Sequence, residues 1–243
     1  MCLADGAGPA SRAGGAGPGS SGAGAGLAPG PATAAADTDA LVQGAEATVA
    51  IADGTVTKER GPRDYRHPDL DARLRSERTR REARATSEAR RHGVPTPVLR
   101  DVDPATHTIV SQAVGDRDLK AALDADAVAA VGRNLATIHD AGLVHGDPTV
   151  RNVRVRATAE GEGASRSDGR PRVFLIDFGL SYDSRDAEDH AMDLHVLAQS
   201  IAGVADDAET LVDRATAAYR EASEHPDAVL DSLRAIEGRG RYR

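Results

Sequence analysis

The chain has 243 residues and a mass of 25.2 kDa, room for one domain or a two-lobed one with a tail but not for an array of modules. Apolar residues make up 40% and aromatic ones 2%, with no Trp, so a core must rest on Ala, Leu, Val and Ile. The net charge of -8 and the lone Cys2 argue against a uniformly basic nucleic-acid coat, a disulfide framework and a Cys-built zinc site.

No apolar run approaches a membrane span, and the start of the chain lacks the charged and apolar regions of a signal peptide. The expected setting is the cytoplasm, with no membrane partner. Lys58 and Lys120 stand against twenty-eight arginines, and Asp outnumbers Glu twenty-six to twelve. Such usage fits a GC-rich genome, either salt-adapted or only codon-biased. A lysine kept against that bias is expected to be needed as a lysine.

Residues 1–40 hold ten Gly, thirteen Ala and four Pro and read as a flexible tail or linker. Strand-like pieces follow at Leu41–Gln43, Thr48–Ala52 and Thr55–Lys58, with Asp53-Gly54 as a hairpin turn. A long helix should start at Pro68-Asp69 and stop at Gly93. It carries eight arginines from Arg73 to Arg91 against Glu77, Glu82 and Glu88, which reads as a solvated face or a basic patch. A strand pair is expected between Val98 and Val114, turning at Asp103-Pro104.

Residues 41–114 thus form one expected lobe, a small sheet with one helix. Residues 115–243 form a second, mainly helical lobe with a basic tail. Val128, Val131, Leu135 and Ile138 recur at helical spacing before Gly142, as do Leu194, Leu197 and Ile201, and then Leu211, Ala215, Ala218 and Tyr219. A last helix should run from Pro226 to Gly238. Between the first two helices a hairpin is expected, Val153–Arg156 with Val173–Asp177, turning through the polar insert Ala157–Arg172.

The chemistry concentrates in His145-Gly-Asp-Pro-Thr-Val-Arg-Asn152 and Ile176-Asp177-Phe178-Gly179. An Asp, an Asn five residues later, a hairpin and then Asp-Phe-Gly form the phosphoryl-transfer pattern of the protein-kinase fold. Such a reaction needs a carboxylate beside the attacking hydroxyl, a role that suits Asp147. It also needs hard oxygen ligands for Mg2+, a role that suits Asn152 and Asp177. A cation on the ATP phosphates is the remaining need. Lys58, at a strand end, fits it, with Glu82 as its helical partner; by sequence alone Glu77 could serve instead.

What departs from that pattern also bears on function. No G-x-G-x-x-G precedes the lysine; only Gly44-Ala-Glu-Ala separates the first two strands, which predicts modest nucleotide affinity. Eight residues separate Gly179 from Glu188, and no Ala-Pro-Glu follows, so a long activation loop is excluded. Gly146 replaces the Arg that reads an activation-loop phosphate. Control by loop phosphorylation is therefore not expected; control by another protein is. His139 reads as a hydrogen-bonded core residue, and His67, His190 and His195 have no metal spacing.

With these residues in place, the sequence resembles the small atypical kinase subunit of the KEOPS (EKC) complex, from about Gly44 onward. Lys58-Glu-Arg with Asp64–Asp71, Arg78–Ala83, His145–Asn152, Ile176–Ser181, Glu188–Leu194 and Arg239–Arg243 carry the resemblance. It implies an α+β, small protein-kinase-like fold with a reduced helical lobe and no activation segment. It implies a serine/threonine kinase and ATPase using ATP and Mg2+, which supports threonylcarbamoyl transfer to tRNA adenosine 37. The roles of Lys58, Glu82, Asp147, Asn152 and Asp177 carry over. The resemblance adds Asp193 as a brace for the catalytic loop and Gln112 and Val114 as backbone presented to adenine. Its implied partners are the tRNA-modifying catalytic subunit and the other subunits of that complex.

The basic helix and the tail residues Arg239, Arg241 and Arg243 are expected to meet tRNA or a partner through phosphate contacts. Pro148-Thr-Val-Arg151 departs from the family's Leu-Thr-Thr-Ser beside the catalytic Asp. Two alternatives stand: a small-molecule kinase of the aminoglycoside or homoserine type, and a scaffold with a vestigial nucleotide site.

Overall fold

Strand β1 (Ala40–Gln43), β2 (Thr48–Ala52) and β3 (Thr55–Glu59) form an antiparallel meander. The tight turn between the last two uses Asp53 and Gly54 at φ 49° and 67°, the left-handed pair that matches strand twist. The computed structural model describes residues 40–43, 47–156 and 171–240. The expected tail before Ala40, the loop at Gly44, nearly all of the insert 157–172, and Arg241 and Arg243 lie outside the described residues.

Helix α1 (Pro68–Arg91) follows, opened by Pro68 with Asp69 and Asp71 in its first turn, where acids suit the positive end of the dipole. Gly93, at φ 88°, lets the chain leave it. Strands β4 (Leu99–Asp103) and β5 (Thr108–Gln112) then complete a five-stranded sheet in the order β1-β2-β3-β5-β4. The long β5 pairing puts Lys58 opposite Ile109, on a strand flanked on both sides.

The rest is mainly helical. Short strand β6 (Arg117–Asp118) and a 3-10 turn at Leu119–Ala122 lead into α2 (Ala125–Asp140), whose N-terminus is capped by Asp124 accepting from the N–H groups of Asp126 and Ala127. Next come β7 (Leu143–Val144), β8 (Val153–Arg156) and β9 (Arg172–Leu175), then a 3-10 turn at Phe178–Leu180 and β10 (Tyr182–Asp183). Helices α3 (Ala187–Ala202), α4 (Ala208–Ala222) and α5 (Pro226–Gly240) close the chain. The small sheets are β6-β8-β9 and β10-β7.

The core sits here. Val128, Val131, Leu135 and Ile138 of α2 are fully buried with Leu197, Ile201 and Tyr219 from α3 and α4. Helices α2 and α4 meet backbone to backbone at Gly132, where a Cβ would collide with the carbonyl of Ala215. No helix among the described residues is long and apolar enough to cross a membrane.

Two expected boundaries shift. The second hairpin strand ends at Leu175 rather than Asp177, because Asp177 takes a left-handed conformation, φ 62°. The last helix runs through Gly238 to Gly240; one glycine weakens a helix by only about 1 kcal/mol. Strands β6, β7 and β10 have two residues each, too few to show a period.

Candidate active site

Lys58 stands at the meeting point of strand, helix and the Asp177 turn. Its Nζ donates to Glu82 Oε1 at 2.8 Å and to Asp177 Oδ1 at 2.6 Å. Glu82 is one of the buried residues of α1 at 6% exposure, so the open choice between Glu77 and Glu82 resolves toward Glu82. Glu77 lies outward and pairs with Arg73. The helix is held here because α1 packs against the 3-10 turn at Phe178.

The facing wall is the loop His145–Asn152. Asn152 Nδ2 donates to Asp147 Oδ2 at 2.7 Å and to the Asp147 carbonyl at 2.9 Å. The Ile176 N–H donates to the Asn152 carbonyl at 3.0 Å, which ties this loop to the segment that carries Asp177. His145, fully buried, donates from Nε2 to the Ile176 carbonyl at 3.1 Å and accepts at Nδ1 from the Asp147 N–H at 3.3 Å. Burial holds this imidazole below its usual range and therefore neutral, and its ring lies against Phe178 at 4.5 Å.

Asp193 of α3 is 1% exposed. It accepts the N–H of His145 at 2.7 Å, the N–H of Gly146 at 2.8 Å and Nε2 of His139 at 3.0 Å. Burial opposes its charge, yet the His139 hydrogen bond and the backbone donors hold its carboxyl below the usual carboxylate range. His139 in turn accepts at Nδ1 from the Tyr219 hydroxyl at 3.0 Å and stacks on His190 at 4.4 Å. It is a satisfied core histidine, kept neutral chiefly by burial.

Gly146 has a local reason beyond the missing arginine. Its φ is 83°, and a Cβ there would strike the Leu180 carbonyl. The loop can lie this close to the Asp-Phe-Gly segment only without a side chain.

The two carboxylates differ in charge environment. Burial pushes the Asp147 carboxyl above its ordinary range. Burial also opposes Asp177, but the Lys58 amine, then the Arg60 guanidinium and the Gly179 N–H, bring it below that range. One site therefore holds a more basic and a more acidic carboxylate, the division that acid–base and metal-binding roles require. Asp177 and the amide oxygen of Asn152 are hard donors of the kind Mg2+ takes together with phosphate oxygens. Among the described residues no group of three or more His, Cys, Asp or Glu gathers as a metal cage, so a metal here would need such outside oxygens.

The residues expected at adenine follow from β5. The Gln112 N–H is engaged by the Val98 carbonyl at 2.9 Å, the Ala113 N–H by the Gly54 carbonyl at 2.9 Å, and the Val114 carbonyl accepts from Arg154 Nε at 3.4 Å. Arg239 is paired with Glu188 at 2.6 Å. Between α1, β4, β7 and β10, a groove of about 1140 Å³ is lined in part by Arg80, Arg81, Arg84, Arg91, Leu143 and Tyr182.

One residue of this site, part of the Lys58-Glu-Arg stretch, has no role assigned from sequence. Arg60, 5% exposed, donates from Nη2 to Glu82 Oε2, so each oxygen of Glu82 holds a different cation. The Lys-x-Arg spacing on an alternating strand was the available clue, since it puts both side chains on one face.

No family model matches the chain. It is 63% identical over 201 residues to a probable bifunctional tRNA threonylcarbamoyladenosine biosynthesis protein of Haloarcula marismortui, an alignment that covers 83% of this chain and 35% of the relative. A protein of the same description from Methanospirillum hungatei is 38% identical over 200 residues, covering 82% and 36%. The chain thus spans about a third of the length of the curated relatives it matches.

Among solved structures, the Rio2 kinase of Chaetomium thermophilum in an ADP/Mg2+-phosphoaspartate complex matches with TM-score 0.54 and 18% identity over 84% of this chain and 71% of that one. WaaP in complex with acyl carrier protein matches with TM-score 0.57 and 18% identity over 82% and 86%. The fold is protein-kinase-like, an α+β arrangement of an antiparallel sheet and a helical part.

Proposed function

We propose, from the premise that this chain is a homologue of one portion of the bifunctional tRNA threonylcarbamoyladenosine biosynthesis proteins, that it is an ATP-dependent kinase and ATPase supporting that modification. The observation that carries the reading is the Lys58 amine held between Glu82 and Asp177, at 2.8 and 2.6 Å. A cation steered by a buried carboxylate toward a metal-binding carboxylate is what a nucleotide triphosphate needs. The Asp147–Asn152 pair on the facing loop supports it independently.

In this reading Lys58 binds phosphate oxygens and Glu82 orients Lys58. Asp177 and Asn152 would hold Mg2+, which would supply positive charge against the phosphates. Asp147 orients the attacking hydroxyl, of water or of a serine or threonine, and takes its proton. Its raised pKa favours that transfer. Asp193 fixes the loop by holding the N–H groups of His145 and Gly146. Gln112 and Val114 offer backbone to adenine. Residues 41–114 and 115–243 are the two lobes of the site.

The test is ATP turnover and Mg-ATP affinity of the parent, Asp147→Ala and Lys58→Met. Loss of turnover by about a hundredfold or more in Asp147→Ala, with nucleotide still bound, supports the reading. Equal turnover in parent and Asp147→Ala overturns it in favour of a scaffold. A phosphorylated aminoglycoside or homoserine in a substrate screen would overturn it in favour of a small-molecule kinase.

The partner in this proposal is the tRNA-modifying catalytic subunit, within a larger complex and in the cytoplasm. The curated relatives are named bifunctional and are about three times the length of the matched span, which supports an association in one chain or between two. Co-purification of that subunit tests it. For tRNA, the exposed Arg80, Arg81 and Arg84 and the tail with Arg239, Arg241 and Arg243 supply the positive charge. Replacing the three tail arginines by Gln should weaken tRNA binding and flatten its salt dependence by about one counter-ion per lost phosphate contact. Unchanged affinity across a salt titration removes that contact.

A further inference from the structure

We propose that Arg60 is a positioning residue of this site: it holds the second oxygen of Glu82, so that Glu82 stays fixed while Lys58, still paired with it, turns from Asp177 to the phosphates. The inference rests on the ATP-site reading above and adds a residue to it. Glu82 is buried, and its two oxygens are divided between Lys58 and Arg60. Lys58 is divided again, between Glu82 and Asp177. Together these four side chains carry two positive and two negative charges.

Removing Arg60 from that group leaves one cation for two carboxylates. Lys58 would then be the sole counter-ion of a buried Glu82, and every approach of a phosphate would draw on the same amine. A buried carboxylate without a partner is strongly destabilising. With Arg60 in place, Glu82 stays neutralised and fixed while Lys58 shares its charge with the phosphates. The arginine suits that task because its guanidinium stays charged and its planar fork suits a buried carboxylate.

Arg60 is also anchored independently of Lys58. Its N–H donates to the His107 carbonyl at 3.2 Å, and its carbonyl accepts from Arg75 Nη1 at 3.2 Å. Arg75 is itself held by Asp71 at 2.7 Å. The backbone of Arg60 is thus fixed by the β4–β5 turn on one side and the start of α1 on the other. Its guanidinium lies over Gly179, where a Cβ would come within 2.7 Å of Nη2. Arg60 therefore joins three parts of the site: the strand that carries Lys58, the helix that carries Glu82 and the turn after Asp177.

A merely structural arginine would fasten α1 without acting through the charge of Glu82. A double-mutant cycle separates the two cases. The measurement is Mg-ATP affinity, with KM and kcat for ATP turnover, in the parent, Arg60→Met, Arg60→Lys, Glu82→Gln and the double variant Arg60→Met/Glu82→Gln. We expect Arg60→Met to weaken Mg-ATP affinity by about tenfold or more and to raise KM more than it lowers kcat. Arg60→Lys should recover most of that loss. In the Glu82→Gln background, Arg60→Met should add less than about threefold, because the charge it serves is gone.

If Arg60→Met does not fold, Arg60→Lys and the double variant still decide the matter, since neither leaves Glu82 charged and alone. Additive effects in the cycle, or parent-like affinity in Arg60→Met, overturn the proposal while leaving the nucleotide site standing. A parent that binds no Mg-ATP overturns the nucleotide reading and this proposal with it.

Discussion

Helices α1 and α2 are built on different principles. The inward face of α1 is Asp71, Thr79, Glu82 and Thr86 with the small residues Ala83, Ala85 and Ala89. That of α2 is Val128, Val131, Leu135 and Ile138. The first buries little apolar area and is held by ion pairs and hydrogen bonds: Lys58 and Arg60 to Glu82, and Arg75 to Asp71. The second is held by packing, its apolar side chains removed from water on a face that meets α4 at Gly132. The sheet beside α1 repeats the contrast, since β2 is only half-buried along its length whereas Val153 and Val155 of β8 are buried.

The difference has a functional consequence. In the proposed site, the groups that would answer an incoming nucleotide, Lys58, Glu82 and Asp177, sit where contacts are ionic. The loop bearing Asp147 sits on the packed half, and Asp193 pins it from a buried network. In that reading the cation cluster and the proposed base are supported by different forces.

Several measurements would break or sharpen that contrast. The largest effect belongs to Asp147→Ala, already assigned a loss of about a hundredfold or more in turnover; its thermal stability should stay close to the parent's, because the loop is pinned through Asp193. Next, Leu135→Ala on α2 should lower stability by about 2–5 kcal/mol, read by urea unfolding, with little response to salt. If that loss disappears in high salt, the packed half is not what holds α2.

Gly132→Ala comes third. The added methyl meets backbone rather than a flexible side chain, so a loss of about 1–3 kcal/mol is expected. A neutral result would mean that α2 and α4 do not touch there.

The fourth concerns acid. Burial holds His139 and His145 below the ordinary value of 6.5, so the folded state keeps them neutral while the unfolded chain protonates them. Their contribution is present above that value and is lost as pH falls below it, by up to about 1.4 kcal/mol per pH unit for each. Urea midpoints measured from pH 7.5 to 5 should decline with that sign. His139→Gln should make the slope shallower, and an unchanged slope would detach it from this residue.

The smallest effect is the most discriminating for the helix itself. Glu77→Gln removes an exposed partner of Arg73 and should leave the melting temperature and Mg-ATP affinity unchanged. Glu82→Gln should lower both. Equal behaviour of the two would undo the assignment of Glu82.

Much of the site could be read in the chain order. Asp147 and Asn152 are separated by a loop-length interval, and Asp177 follows a hairpin, so the spacing already brings them to one end of the helical part. The choice of Lys58 came from composition, a lysine retained among arginines. Glu82 could not be separated from Glu77 by spacing, because the four residues between them leave either plausible as the inward carboxylate on a helix with a thin apolar stripe. Arg60 was hidden for a related reason: in a chain this rich in arginine, one more guanidinium carries no mark of burial.

Local order therefore determined the helices with clear periodicity, the tight turn at Asp53-Gly54 and the identities of the groups able to do phosphoryl chemistry. Those features depend on neighbours a few residues away. Which carboxylate turns inward, which guanidinium shares it and why Gly146 and Gly132 must lack side chains depend on segments far apart in the chain. Only when α1 lies on the Phe178 turn and α2 lies on α4 do those close approaches exist, and Lys58, Arg60, Glu82 and Asp177 then meet as one cluster of charges.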